Sequence, residues 1–258
     1  MTTEPSNLNT VGAGRRSESK GGARQSAGVE GLWWKCLCGF LMLFVIYGAF
    51  FIAKGAVNFI GTGDVARIIF FHVPVAIQCQ LWYFVAAVYA ARVLIAPPGA
   101  PGRGDIDAKS ATAMELGFVA SVLATITGSI FASLQWNSYW NWDPREISIV
   151  GLLLVYASYL VLRNAIAAHP VKRAQLSAVY AIVTVIPATF LILVVPRIPA
   201  LQSLHPPNVV LDANGTSPSY KLVLWASFVA FTLLFVWLFQ LRIRVLRVSK
   251  QRLAGRVQ

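Results

Sequence analysis

The hydrophobic positions of this chain collect into six long runs with almost no charge: Cys36–Ala53, Pro74–Val93, Ala113–Leu134, Ile147–Leu162, Leu176–Val195 and Lys221–Leu241. About 20 helical residues, each rising 1.5 Å, cross the roughly 30 Å of hydrocarbon in a bilayer, so the pattern predicts six transmembrane helices. The fourth run is a little short. Pro144 lies just before it, and proline suits the first turn of a helix because its missing N–H is not needed there, so this helix is expected to begin early. No Gly- or Ser-rich linker and no internal repeat divides the apolar region. The expected fold class is therefore all-α, a polytopic six-helix bundle forming one membrane domain over residues 31–245. The first 30 residues contain several glycines and basic residues but few apolar ones, too little to offset chain entropy by burial, and are expected to be disordered. Residues 246–258 form a second, basic tail.

Composition agrees with a bilayer environment: 57% of the 258 residues are hydrophobic and 12% are charged. The net charge of +12 has a topological explanation. If both termini are cytoplasmic, the inner segments hold every Lys and Arg except Lys54, Arg67, Arg145, Arg197 and Lys221, the asymmetry by which basic flanks are retained inside. Anionic lipid headgroups balance the rest, and no nucleic-acid motif accompanies the charge, so nucleic acid is not an expected partner. The Arg15-Arg16 pair lies too far upstream of too long an apolar run to be a cleaved export signal. No Walker motif is present, so any ATP use must come from a partner. The chain also lacks a nucleophile elbow and HExxH, and reads as a binding and transfer protein rather than an enzyme. Cys36, Cys38 and Cys79 form no CxxC or CxxCH, which leaves them as small hydrophobes and excludes covalent attachment of haem through a thiol pair.

The segment between the third and fourth runs, W-N-S-Y-W-N-W-D-P-R-E over Trp136–Glu146, places Trp136, Tyr139, Trp140 and Trp142 directly before Asp143, Pro144, Arg145 and Glu146. Interfacial anchoring accounts for Trp33, Trp34 and Trp225, but four rings in seven positions exceed that need and offer a surface for a large planar ligand. Of the three histidines, His72 and His205 fall on the same membrane face as this loop, and His169 falls on the other. Two neutral imidazoles suit the axial positions of haem iron. Haem b, held non-covalently between His72 and His205 against the aromatic residues, is therefore the expected ligand. Arg145 has two readings, a clamp for a haem propionate or a partner for Asp143 or Glu146, with Arg67, Lys54 and Arg197 as weaker propionate candidates. Asp143 has two compatible ones, capping the fourth helix and orienting an imidazole.

These residues resemble a known family. The Trp-rich stretch is similar to the WWD signature of the CcmC/CcmF/CcsA haem-handling proteins of cytochrome c maturation. Six spans, F-F-H-V-P, A-T-I-T-G-S and L-H-P-P look like the haem exporter protein C (CcmC) branch, over about Trp33 to Leu241. The resemblance implies a bacterial inner-membrane protein with a periplasmic haem site, His72 and His205 as axial ligands and Trp136, Tyr139, Trp140 and Trp142 as platform. It also implies delivery of haem to a CcmE-type chaperone and work beside CcmA-, CcmB- and CcmD-type subunits. A passive subunit of an ABC-type exporter and a cytochrome b-like electron-transfer subunit are the competing classes. The second is disfavoured because no histidine falls near a bilayer centre.

Overall fold

A computed structural model describes residues 31–53, 65–205 and 217–255. It contains six helices long and apolar enough to cross a membrane, and no strand among the described residues. Helix α1 spans Leu32–Tyr47 and continues through a π-helical turn, Gly48–Ile52; α2 spans Ile69–Ile95 after a 3₁₀ turn at Val65–Ile68. Then come α3 (Arg103–Trp136), α4 (Pro144–Ala165), α5 (Pro170–Thr189) and α6 (Pro218–Ala254). Between α5 and α6 lie a π-helical turn, Phe190–Val194, and two 3₁₀ turns, Val195–Arg197 and Pro199–Leu201. The tail expected over residues 1–30, the candidate Lys54 and residues 256–258 fall outside the described residues.

Each helix lies where an apolar run predicted it, but most are longer than the run. Hydropathy marks the stretch that faces lipid, whereas helix ends are set by caps and by polar turns beyond the lipid. Pro144, Pro170 and Pro218 each open a helix in its first turn, where proline costs no hydrogen bond. At 1.5 Å per residue the 37 residues of α6 reach about 55 Å. Its last turns therefore run past the boundary expected at residue 245 and project beyond the hydrocarbon.

Helix α2 is the most enclosed, with 56% of its apolar window buried against 33% or less for the others. It packs on α3, α5 and α6, while α1 pairs with α6 and α4 lies between α3 and α5. Apolar side chains gain little by leaving lipid for a helix interface, so close packing and side-chain hydrogen bonds carry the specificity. Such ties converge on α2. The Tyr156 hydroxyl donates to the Cys79 carbonyl (2.6 Å), Gln78 Nε2 to Thr232 (3.0 Å), and Gln80 Nε2 to Thr189 (3.0 Å). At the end away from the Trp-rich loop, Arg163 grips Asp107 with two bonds of 2.8 Å.

Candidate functional site

The Trp-rich loop is a tight connection fixed at both ends. Trp136 closes α3, and Asn137 in the left-handed region (φ 55°) turns the chain away. Asp143 caps α4, its Oδ1 accepting from the Arg145 N–H (2.8 Å). Glu146 Oε2 accepts in return from the N–H groups of Asp143 (3.2 Å) and Asn141 (2.7 Å). This reciprocal box satisfies donors that a helix start otherwise leaves bare. It also holds Trp142 at φ 58°, a backbone region that bulky residues rarely enter without such support.

The other side of the Asp143 carboxylate collects the segment that ends at His205. Asp143 accepts from the Leu204 N–H (2.6 Å), the Ser203 hydroxyl (2.9 Å) and His205 Nδ1 (3.2 Å). Both readings of Asp143 are thus met by one carboxylate. Burial alone would raise its pKa, but the Arg145 N–H, the nearby His205, the Leu204 N–H and the Ser203 hydroxyl outweigh that and leave it below the ordinary carboxylate value. Burial, reinforced by the charge of Arg145 and opposed by Asp143, pushes His205 down to about 4. The ring is therefore neutral near pH 7. Its Nδ1–H faces the carboxylate, so its Nε2 carries a free lone pair.

This neutrality predicts a pH dependence. The folded ring protonates near 4 and the unfolded ring near 6.5, so between those values only the unfolded chain takes up this proton and stability is lost as pH falls. Thermal unfolding of ligand-free protein in detergent checks this: from about pH 7 to about pH 5, wild type should lose more than His205→Gln. Equal losses would contradict it.

His72, expected on the same face as the loop, lies in the first turns of α2, at the end of the bundle that carries the loop. Its Nδ1 is 2.9 Å from Thr127 Oγ1. The single proton of that hydroxyl goes to the Leu123 carbonyl (2.8 Å), so Thr127 accepts and His72 Nδ1 donates. His72, too, presents Nε2 with a free lone pair when neutral. Gly128 makes room for the ring, because a Cβ there would come within 2.9 Å of His72 Cε1. Gly128→Val is accordingly expected to displace the imidazole and lower ligand occupancy more than Gly128→Ala, read by titrating ligand into each purified variant; equal occupancy in wild type and Gly128→Val would contradict this packing.

The two rings share one face of α3. His72 touches α3 at Thr127 and Gly128, and the centroid of His205 lies 6.4 Å from that of Phe131. Thr127 and Phe131 are four residues apart, a rise of about 6 Å on the same helical face. The imidazoles and the Arg145 guanidinium lie within electrostatic reach of one another. Among the described residues no group of three His, Cys, Asp or Glu side chains gathers around a bare ion. Two imidazoles fit a metal whose other ligands come from a macrocycle.

Arg145 has no hydrogen bond on its buried Nε. Asp143 is committed to the 203–205 segment and Glu146 to the cap, so no carboxylate among the described residues pairs with this guanidinium. The buried Ser148 hydroxyl, one turn further along α4, is also without a partner. Arg67 and Arg197 each donate to a backbone carbonyl, of Phe50 and Leu193. The four aromatic residues of the loop divide into two groups. Trp136 meets the edge of His205 at 4.8 Å and Phe131 at 5.4 Å. Trp140 and Trp142 stand at 89° to each other, forming two walls rather than one flat shelf. Tyr139 and Trp142 are 69% and 74% exposed. His169 precedes α5 at the opposite end of the bundle.

The sequence profile of the family described as CcmC, Heme exporter protein C, matches residues 22–258. This chain belongs to the haem exporter protein C family. It is 30% identical over 197 residues to Heme exporter protein C of Paracoccus denitrificans, covering 75% of this chain and 77% of the relative. It is 31% identical over 179 residues to Heme exporter protein C of Bradyrhizobium diazoefficiens, covering 68% of this chain and 64% of that protein's length. A shorter stretch of 58 residues is 40% identical to the cytochrome c biogenesis protein CcsA of Cyanidium caldarium, 22% of this chain and 20% of the relative. A CcmC-family chain with six membrane-crossing helices is a multi-pass membrane protein related to haem-handling proteins of cytochrome c biogenesis.

Proposed function

We propose that this CcmC-family protein binds one haem b non-covalently between His72 and His205 and passes it to a CcmE-type chaperone. The observation that carries the reading is the matched state of the two imidazoles. Each is anchored through Nδ1 to a fixed acceptor, Thr127 or Asp143, each offers Nε2, and both lie along one face of α3 about one turn apart. Trp136 lines the His205 side, and the unpaired Arg145 guanidinium suits a propionate, which it can bind through two parallel hydrogen bonds. Tyr139 and Trp142 supply exposed aromatic surface at the mouth beside the half-buried Trp140, where the edge of an amphipathic macrocycle stays within reach of a receiving protein.

The Lys and Arg asymmetry supports a mouth on the periplasmic side of a bacterial inner membrane and cytoplasmic termini. CcmA-, CcmB- and CcmD-type subunits are the partners we assign to it, with ATP hydrolysis belonging to them. Both candidate ligands sit at one end of the bundle, which favours holding and transferring haem over carrying electrons across the membrane.

The experiment is optical. Haem added to detergent-purified wild type should give a six-coordinate low-spin spectrum, which His72→Ala and His205→Ala each convert to a high-spin form that added imidazole restores. Wild type that stays colourless, or variants with unchanged spectra, would overturn the proposal. Arg145→Gln should keep the low-spin spectrum and weaken affinity about tenfold, the loss expected for one charge-assisted contact; unchanged affinity would remove Arg145 from the site.

A further inference from the structure

We infer that a cleft between α2, α3 and α6, at the end of the bundle opposite the Trp-rich loop, binds the phosphate headgroup of an anionic phospholipid. The cleft, open at the surface, has a volume of about 280 Å³ and is lined by Tyr89 of α2, Lys109 of α3, and Phe239, Gln240, Ile243, Arg244 and Arg247 of α6. Its apolar wall is a stacked pair, Tyr89 on Phe239, with centroids 6.1 Å apart and planes 15° from parallel. Two cations converge on the Tyr89 ring, Lys109 Nζ at 5.6 Å and Arg92 Cζ at 5.7 Å from its centroid.

The carboxylates nearby are already engaged. Glu115 pairs with Arg242 (2.9 Å), and Asp105 with Arg247 (3.3 Å) and Lys250 (4.0 Å). Asp107 is held by Arg163. Arg92, Lys109 and Arg244 have no carboxylate partner among the described residues. Lys109 and Arg244 line the cleft from two helices and Arg92 stands against its Tyr89 wall, so an anion in the cleft would offset the repulsion between these cations and tie the helix ends together.

Depth favours a lipid over a soluble anion. Phe239 packs on Trp82 at 5.2 Å within the apolar part of the bundle, and the next residues of α6, Gln240, Arg242 and Arg244, begin its polar extension. The cleft therefore straddles the edge of the hydrocarbon, where headgroup phosphates lie and where basic residues flanking a span meet anionic lipid.

The test uses the full chain, delipidated in detergent. Thermal unfolding is followed with phosphatidylglycerol, with phosphatidylcholine or with inorganic phosphate, and lipid retention is read by native mass spectrometry. Phosphatidylglycerol should raise the midpoint and remain bound, whereas phosphatidylcholine and inorganic phosphate should do neither. Arg244→Gln, an exposed residue with no partner to lose, should weaken the phosphatidylglycerol effect about fivefold, the change expected for one cation near an anionic headgroup. Arg252→Gln, outside the cleft, should not. Lys109→Gln with Arg244→Gln should abolish the effect while unfolding like wild type in phosphatidylcholine. Equal responses to the two lipids, an equal response to inorganic phosphate, or an undiminished shift in Arg244→Gln would overturn the inference.

Discussion

Asp143→Ala is expected to cost this protein nearly all its haem occupancy while leaving six helices in the membrane. One carboxylate caps α4 and holds Ser203, Leu204 and His205. Losing the cap costs about 1 kcal/mol. The three other donors lose a charged acceptor, each worth roughly 1–3 kcal/mol where burial denies them water. These terms are not additive, since the segment can relax once released. Release of the 203–205 segment also frees His205 to rotate and take its Nε2 out of line. Asp143→Asn separates the two duties, because Asn caps a helix about as well as Asp but offers a weaker, uncharged acceptor to the imidazole. It should lose less thermal stability than Asp143→Ala and bind haem at least about tenfold more weakly, because its single amide oxygen cannot serve every donor that the two carboxylate oxygens serve. Equal haem affinity in wild type and both variants, measured by titration, would refute the positioning role.

The second large effect is structural and lies away from the site. A Cβ at Gly117 would fall 2.0 Å from the hydroxyl and 2.5 Å from Cζ of Tyr156. Tyr156 cannot give way. It is fully buried, donates to the Cys79 carbonyl and meets the edge of Tyr83 at 5.1 Å, so α3, α4 and α2 meet around one ring. Gly117→Ala should therefore destabilise the bundle by about 1–3 kcal/mol or more, as overpacking does, and Tyr156→Leu in the same chain should recover part of the loss by vacating the overlap. Thermal unfolding of the two single variants and the double variant forms the cycle. A Gly117→Ala protein that unfolds at the wild-type temperature would contradict this packing.

The six helices were legible because a bilayer demands long uncharged runs, a constraint written directly into composition. Their ends were less so: hydropathy does not register the amphipathic turns that carry α3 back to Arg103 and α6 on to Ala254. The D-P-R-E sequence of Asp143–Glu146 showed a helix start, and topology alone brought His72 and His205 to one face. Asp143 was legible as a residue that could orient an imidazole, but the anchors of His72 were hidden. Thr127 and Gly128 sit inside an apolar run, more than 50 positions from His72 and visible as its partners only once α2 and α3 pack. Ser203 gave no signal beyond a polar loop residue. The sequence leaves Arg145 two readings, because only the folded chain commits Asp143 to the 203–205 segment and Glu146 to the cap. The division of the aromatic residues into two groups follows from left-handed backbone at Asn137 and Trp142, which neither residue type demands.

The most direct measurement is a count of the histidine nitrogens bound to iron. Protein labelled with ¹⁵N-histidine is loaded with ferric haem and examined by pulsed electron paramagnetic resonance, where each coordinated imidazole adds its own hyperfine coupling. With three histidines in the chain, the assignment by substitution is complete: wild type and His169→Gln should each show two coordinated imidazole nitrogens, and His72→Ala and His205→Ala one apiece. A single nitrogen in wild type, or two that survive the loss of either His72 or His205, would contradict the account.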